Sequence, residues 1–192
     1  MRLFRPLLCA SAGLAITACG DSFGPIDELP RQLTVAEQKL VEADNRFAFK
    51  LFKEINSQEE PDKNVFISPL SVAMALGMTY NGAAGTTREA MQQTLELQGM
   101  TIQEVNESYR SLIDLLQDLD PAVEWILANS IWYTTTFITP LQSFIDVNRT
   151  YFDAEVRGLD FSSPAASDAI NSWVNDKTRG RIEKIVPEEI PP

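Results

Sequence analysis

Histidine is missing altogether from the 192 residues. That removes the commonest general base and the commonest metal ligand together. Cysteine is nearly missing, with Cys9 and Cys19 the only two. Positive charge is scarce as well: 16 Lys and Arg stand against 27 Asp and Glu, a net charge of −11. An acidic chain without a basic cluster is a poor nucleic-acid binder, because phosphate contact depends on grouped Lys and Arg. The apolar run Pro6–Ile16 near the N-terminus is too short to span a membrane.

The beginning of the chain has the layout of a leader. Arg2 and Arg5 make a basic start, Pro6–Ile16 is mostly apolar, and Ile16-Thr17-Ala18-Cys19 ends in small residues. The tetrapeptide resembles a bacterial lipobox, with Ile16 where the pattern usually has Leu. Residues 1–18 are then a lipoprotein signal peptide, and Cys19 is the lipid attachment site at the new N-terminus. The alternative is a plain secretory signal with an incidental cysteine. Residues 19–33, with Gly20, Gly24, Pro25 and Pro30, have the composition of a tether to the membrane surface. Cys9 would leave with the leader and Cys19 would carry lipid, so the mature domain has no disulfide. Loss of Arg2 and Arg5 takes the net charge from −11 to −13. The expected location is the cell envelope, lipid-anchored on a bacterial membrane.

The domain is expected to occupy residues 34–192, with six helices and three strands. Thr34-x-x-Glu37 is a capping box that opens a helix with Leu40, Phe47, Ala48, Leu51, Phe52 and Ile55 on one face, Asp44 being its single polar member. Asn64–Ile67 is short, apolar and β-prone, and reads as a buried strand. Ser68-Pro69 caps and starts a helix that is apolar nearly all round, which is stable only inside a sizeable protein. Thr86-x-x-Glu89 is a second capping box. From Thr101, Val105, Tyr109, Leu112, Ile113 and Leu116 recur at helical spacing until Asp120-Pro121. Ala122–Tyr133 is apolar on both faces and predicts a central strand. Thr139-Pro140 and Ser163-Pro164 each predict a helix start, with a strand at Ala154–Phe161 between them.

In that order, several blocks resemble the N-terminal half of the serpin family. Asn64-Val65-Phe66-Ile67-Ser68-Pro69-Leu70-Ser71 is similar to the start of the family's buried helix B. Gly82-Ala83 and Gly85-Thr86-Thr87 resemble the turn into its helix C. Ala128-Asn129-Ser130-Ile131-Trp132 resembles the second strand of its main sheet. Ile170-Asn171-Ser172-Trp173-Val174 and Thr178-Arg179-Gly180-Arg181-Ile182 resemble its helix F region.

The resemblance implies an α+β fold made of helices A–F and the first main-sheet strands. It also implies inhibition of serine proteases, in some members of cysteine proteases, by insertion of a cleaved reactive-centre loop into the main sheet. Ser68 and Ser71 correspond to the hydroxyls of the "shutter" where that sheet opens; the plainer roles are helix cap for Ser68 and small packing residue for Ser71. The loop, its hinge and the shutter histidine belong to the family's C-terminal half. The full-length form is therefore expected to be the inhibitor, and this chain alone to be inactive. A non-inhibitory, chaperone-like or binding lipoprotein of the same fold is the alternative.

The remaining signals are weak. Glu59/Glu60 and Glu188/Glu189 read as solvated carboxylates. The serines have neither histidine nor free thiol to form a nucleophile–base pair, so no catalytic residue, cofactor or metal is expected. Asn106-Glu107-Ser108 and Asn148-Arg149-Thr150 match the glycosylation pattern, for which a bacterial lipoprotein has little use. Glu104, Glu107, Asp114, Asp118 and Asp120 surround Arg110 on the helix where some serpins bind heparin, which argues against heparin.

Overall fold

A computed structural model describes residues 28–117, 119–188 and 190. The leader and Cys19 lie outside the described residues. The first helix, α1 (Val35–Gln58), begins as its sequence dictates. The Thr34 hydroxyl accepts from the Glu37 amide, and the Glu37 carboxylate accepts from the Thr34 amide. The inward face of α1 buries Leu40, Ala43 and Phe47, while Phe52 stays exposed. Glu59 leaves helical geometry two residues before Pro61.

Helix α2 (Pro69–Tyr80) follows, then α3 (Gly85–Thr94) and α4 (Ile102–Gln117). Only one side of α2 is buried, through Ala73, Met74, Gly77, Met78 and Tyr80; Val72 and Ala75 are exposed. At Gly77 the missing side chain matters. A Cβ there would stand 3.2 Å from Tyr109 Cε2 and 3.4 Å from the Phe152 ring, so glycine lets α4 and the next helix close on α2. α4 buries Val105, Tyr109, Leu112 and Ile113 at their predicted spacing. Its start is a capping box at Thr101 and Glu104. The box expected at Thr86 and Glu89 does not form. α3 begins two residues earlier, at Gly85, behind Ala84, with no side-chain cap.

Strand β1 (Ser130–Thr134), helix α5 (Gln142–Phe152), strand β2 (Glu155–Leu159) and helix α6 (Pro164–Lys177) complete the order. β1 and β2 are parallel, with Ser130 opposite Glu155 and Thr134 opposite Leu159. α5 is the crossover that a parallel pair requires. Asp153 makes the turn from α5 into β2 in a left-handed conformation, φ 49°.

Two expected strands are corrected by this ladder. Residues 124–129 and 64–67 belong to no strand or helix. Among the described residues, pairing of the first stops at Asn129, whose carbonyl accepts from the Glu155 amide at 2.9 Å, and the second has no partner; Phe66 is 96% exposed. An apolar run becomes a strand only where another backbone answers its hydrogen bonds. The Thr139-Pro140 start is also displaced. α5 begins at Gln142 behind Leu141, which caps nothing and is 74% exposed. At Ser163 the expectation holds, since its hydroxyl accepts from the Ala165 amide.

Candidate functional site

The two candidate shutter serines lie at the mouth of α2. Their hydroxyl oxygens are 2.8 Å apart and both residues are exposed. Ser68 occupies the cap position, and its carbonyl accepts from the Val72 amide, but its side chain makes no capping bond. The cap role favoured for the Ser68 hydroxyl is therefore corrected: that hydroxyl is bonded to Ser71 instead. A hydroxyl pair of this kind can trade donor for acceptor by rotation, so it accommodates a changing neighbour at low cost.

Ser71 also lines a groove of about 710 Å³ between α2, residues 124–129 with the start of β1, and the C-terminal part of α6. Ala75, Met78, Leu127 and Ile182 give it apolar walls, and Lys177 and Arg181 stand at its rim. Arg179 crosses to Glu124, with Nη1 2.8 Å from Oε2. Trp173 of α6 meets Trp132 of β1 edge-on at 5.9 Å, which seats α6 on the strand pair. The Trp173 indole N–H is buried with no hydrogen-bond acceptor.

Asparagines hold the surroundings together. Asn129 is buried and its side-chain amide donates to the Phe152 carbonyl at 2.8 Å, tying the start of β1 to the end of α5. On α6, the Asn171 side chain accepts from the amides of Ile185 and Val186 at 2.9 and 3.1 Å, and donates to the Val186 carbonyl at 3.1 Å. It treats the segment after α6 as a strand partner would. Asn81 and Asn106 exchange bonds of 3.0 and 2.8 Å, and Asn81 reaches Asn148 at 3.4 Å, joining α2, α4 and α5. Asn106 and Asn148 are 4% and 0% exposed, so neither glycosylation-type asparagine is open to modification in the folded domain. Nothing in the sequence pattern signalled that cluster.

The carboxylates behave in three ways. Glu59, Glu60 and Glu188 are exposed, as expected; Glu189 lies outside the described residues. On α4, Arg110 is drawn to Asp114 and to Asp153, whose carboxylate is 2.6 Å away, so the one cation of that face is engaged. Asp44 of α1 is half-buried and accepts from the Tyr109 hydroxyl at 2.9 Å. Burial pushes its carboxyl up to about 6, against the opposing pull of that hydrogen bond. Among the described residues no helix is long and apolar enough to cross a membrane. No group of three His, Cys, Asp or Glu there is arranged to hold a metal ion.

Comparison with known proteins agrees with this architecture. A family model described as "Serpin (serine protease inhibitor)" matches residues 42–192. Corticosteroid-binding globulin of Ovis aries is 36% identical over 145 residues, covering 74% of this chain and 33% of that protein. Iripin-2 of Ixodes ricinus is 33% identical over 160 residues, covering 81% and 40%. The crystal structure of reactive loop cleaved human thyroxine binding globulin superposes with a TM-score of 0.67 at 30% identity, over 76% of this chain and 43% of that one. The chain thus spans about a third to two-fifths of the length of the curated relatives it matches.

Proposed function

This chain belongs to the serpin family, and from that premise we propose that its full-length form is an inhibitor of serine-type endopeptidases that acts as a suicide substrate. Serpins as a family are mostly inhibitors of proteases rather than enzymes, and we read this protein as a non-enzyme. The observation that carries the reading is the family match through residues 42–192, which takes in both strands and every described helix except the start of α1. The mechanism implied is cleavage of a reactive-centre loop and its insertion as a new strand into the main sheet. Two local features support it. β1 pairs on one side only among the described residues, and an open edge is a template for a further strand. The Ser68–Ser71 pair sits beside the groove where backbone would have to part, and its hydroxyls can rebond as it does.

The test is to incubate the full-length protein with serine proteases of trypsin, chymotrypsin and elastase specificity. A covalent one-to-one complex that survives denaturing electrophoresis is the expected result. Loop cleavage with no complex at any enzyme ratio would refute inhibition. A second reading is a non-inhibitory binding protein of the same fold, favoured by matches to relatives named for binding corticosteroid and thyroxine. On that reading the full-length protein is cleaved without forming a covalent complex with any of these proteases.

The location we propose is the bacterial envelope, with Cys19 acylated. The lipobox-like Ile16-Thr17-Ala18-Cys19 supports this, and more than one acyl chain on Cys19 suffices for stable anchoring.

A further inference from the structure

The tether read from composition runs to residue 33, yet its last residues are fastened to the domain. Arg31 holds Glu37 with both nitrogens, Nη1 at 2.9 Å from Oε2 and Nη2 at 2.6 Å from Oε1, and Nη2 also donates to the Ser111 hydroxyl at 2.7 Å. Glu37 is 2% exposed, and its carboxyl is held down to about 2, first by Arg31 and then by the hydroxyl of Ser111 and by Thr34, against the cost of burial. Leu33 packs on the core and its carbonyl accepts from the Gln38 side chain. A bidentate guanidinium–carboxylate bond to a buried acid is a fixed joint and not a passing surface contact. The chain outside the domain therefore ends at Arg31, against α4.

Eleven residues, 20–30, separate that joint from Cys19. Whatever their conformation, they reach at most ~40 Å. α1 is 24 residues long, about 36 Å, and leads away from the joint. At full stretch the leash is therefore about as long as the domain's own longest helix.

We propose that the domain presents one surface to a phospholipid bilayer, the N-terminal end of α1 with Ser111–Leu115 of α4, because Arg31 fixes where the leash attaches. The proposal rests on the reading of Cys19 as acylated. The leash, not charge, brings this surface to the bilayer, since Asp114 lies on it and the mature chain is strongly acidic. The far end of α1 then faces outward, where a protease could approach.

The experiment uses the full-length acylated protein in vesicles of phosphatidylethanolamine and phosphatidylglycerol that carry an acceptor dye on the headgroup. With Cys9 removed and Cys19 acylated, Lys39→Cys or Gln58→Cys supplies a single thiol for a donor dye. The two sites are exposed and ~28 Å apart along α1. Energy transfer from position 39 should exceed that from 58 by roughly twofold, and a long Gly/Ser insertion after Gly24 should equalise them. Trypsin should spare the Arg31–Gln32 bond in the wild type and cut it at least about tenfold faster in Glu37→Gln, as local opening governs cleavage. Equal transfer, or stronger transfer from 58, overturns the orientation. Equal cleavage in both proteins overturns the joint. Mass spectrometry that finds no acyl group on Cys19 overturns the anchoring itself, a failure distinct from the other two.

Discussion

Asp44 should make the protein less stable as pH rises, and Asp44→Asn should abolish that loss. Its carboxyl ordinarily titrates at 3.8 and in the fold is pushed up to about 6, chiefly by burial between α1 and α4. Below about pH 3 the group is protonated in both folded and unfolded chains and contributes no pH dependence. Between about 4 and 6 the folded state binds the extra proton, so stability falls with rising pH. Above 6 the full cost of holding a half-buried carboxylate is present, about 3 kcal/mol from a shift of this size. The amide of Asp44→Asn can still accept from the Tyr109 hydroxyl and carries no charge at any pH. Urea unfolding of the two proteins from pH 4 to 8 separates this effect from every other carboxylate, because those cancel in the difference. The wild type should match the variant near pH 4 and fall below it by about 2–3 kcal/mol at pH 7.5. Parallel curves across the range would refute the argument, and so would a wild type that gains on the variant as pH rises.

Glu37→Gln should cost about 2 kcal/mol at pH 7, the worth of hydrogen bonds to a charged group. Since the Glu37 carboxyl is held down to about 2, its stabilisation is complete above its ordinary 4.5 and is lost as pH falls toward 2. Thermal melts of the two proteins should therefore converge in acid. Gly77→Val should destabilise by about 2 kcal/mol through overpacking against Tyr109 and Phe152, read by chemical denaturation. Asn171→Ala removes two acceptor bonds and one donor bond to residues 185–186. Hydrogen exchange at the Ile185 and Val186 amides should quicken by at least about tenfold, with α4 amides unchanged.

Where a structural decision is local, the residues announce it. Thr34 with Glu37, and Ser163 before Pro164, cap the helices they were expected to cap, because each bond closes within four residues. The α4 face could be read from spacing alone, since a long helix shows its buried side at every turn. The strands were less legible. Residues 64–67 and 122–129 have strand composition, but pairing depends on a second backbone far along the chain, and composition is silent about that. The Thr139-Pro140 start failed for a related reason: a proline tolerates the first turn of a helix without compelling one. Of the candidate site, Ser68 and Ser71 meet because they stand three residues apart at the start of one helix, while Arg31 was hidden in a stretch whose glycines and prolines read as tether. The asparagine junction was hidden too, because one amide side chain carries no hint of which others it will meet.

That junction has a consequence for how the chain is made. Synthesis delivers Asn81 first, Asn106 next and Asn148 last, and the reciprocal pair between the first two can close before the third exists. Phe152, which covers Gly77 and Tyr109, arrives only four residues after Asn148. A nascent chain halted between residues 106 and 148 therefore holds an open core with its polar hinge already half latched. Until α5 emerges, Phe152 is not there to cover Gly77 and Tyr109. A protease that met the chain earlier would find the Gly77 side of α2 uncovered.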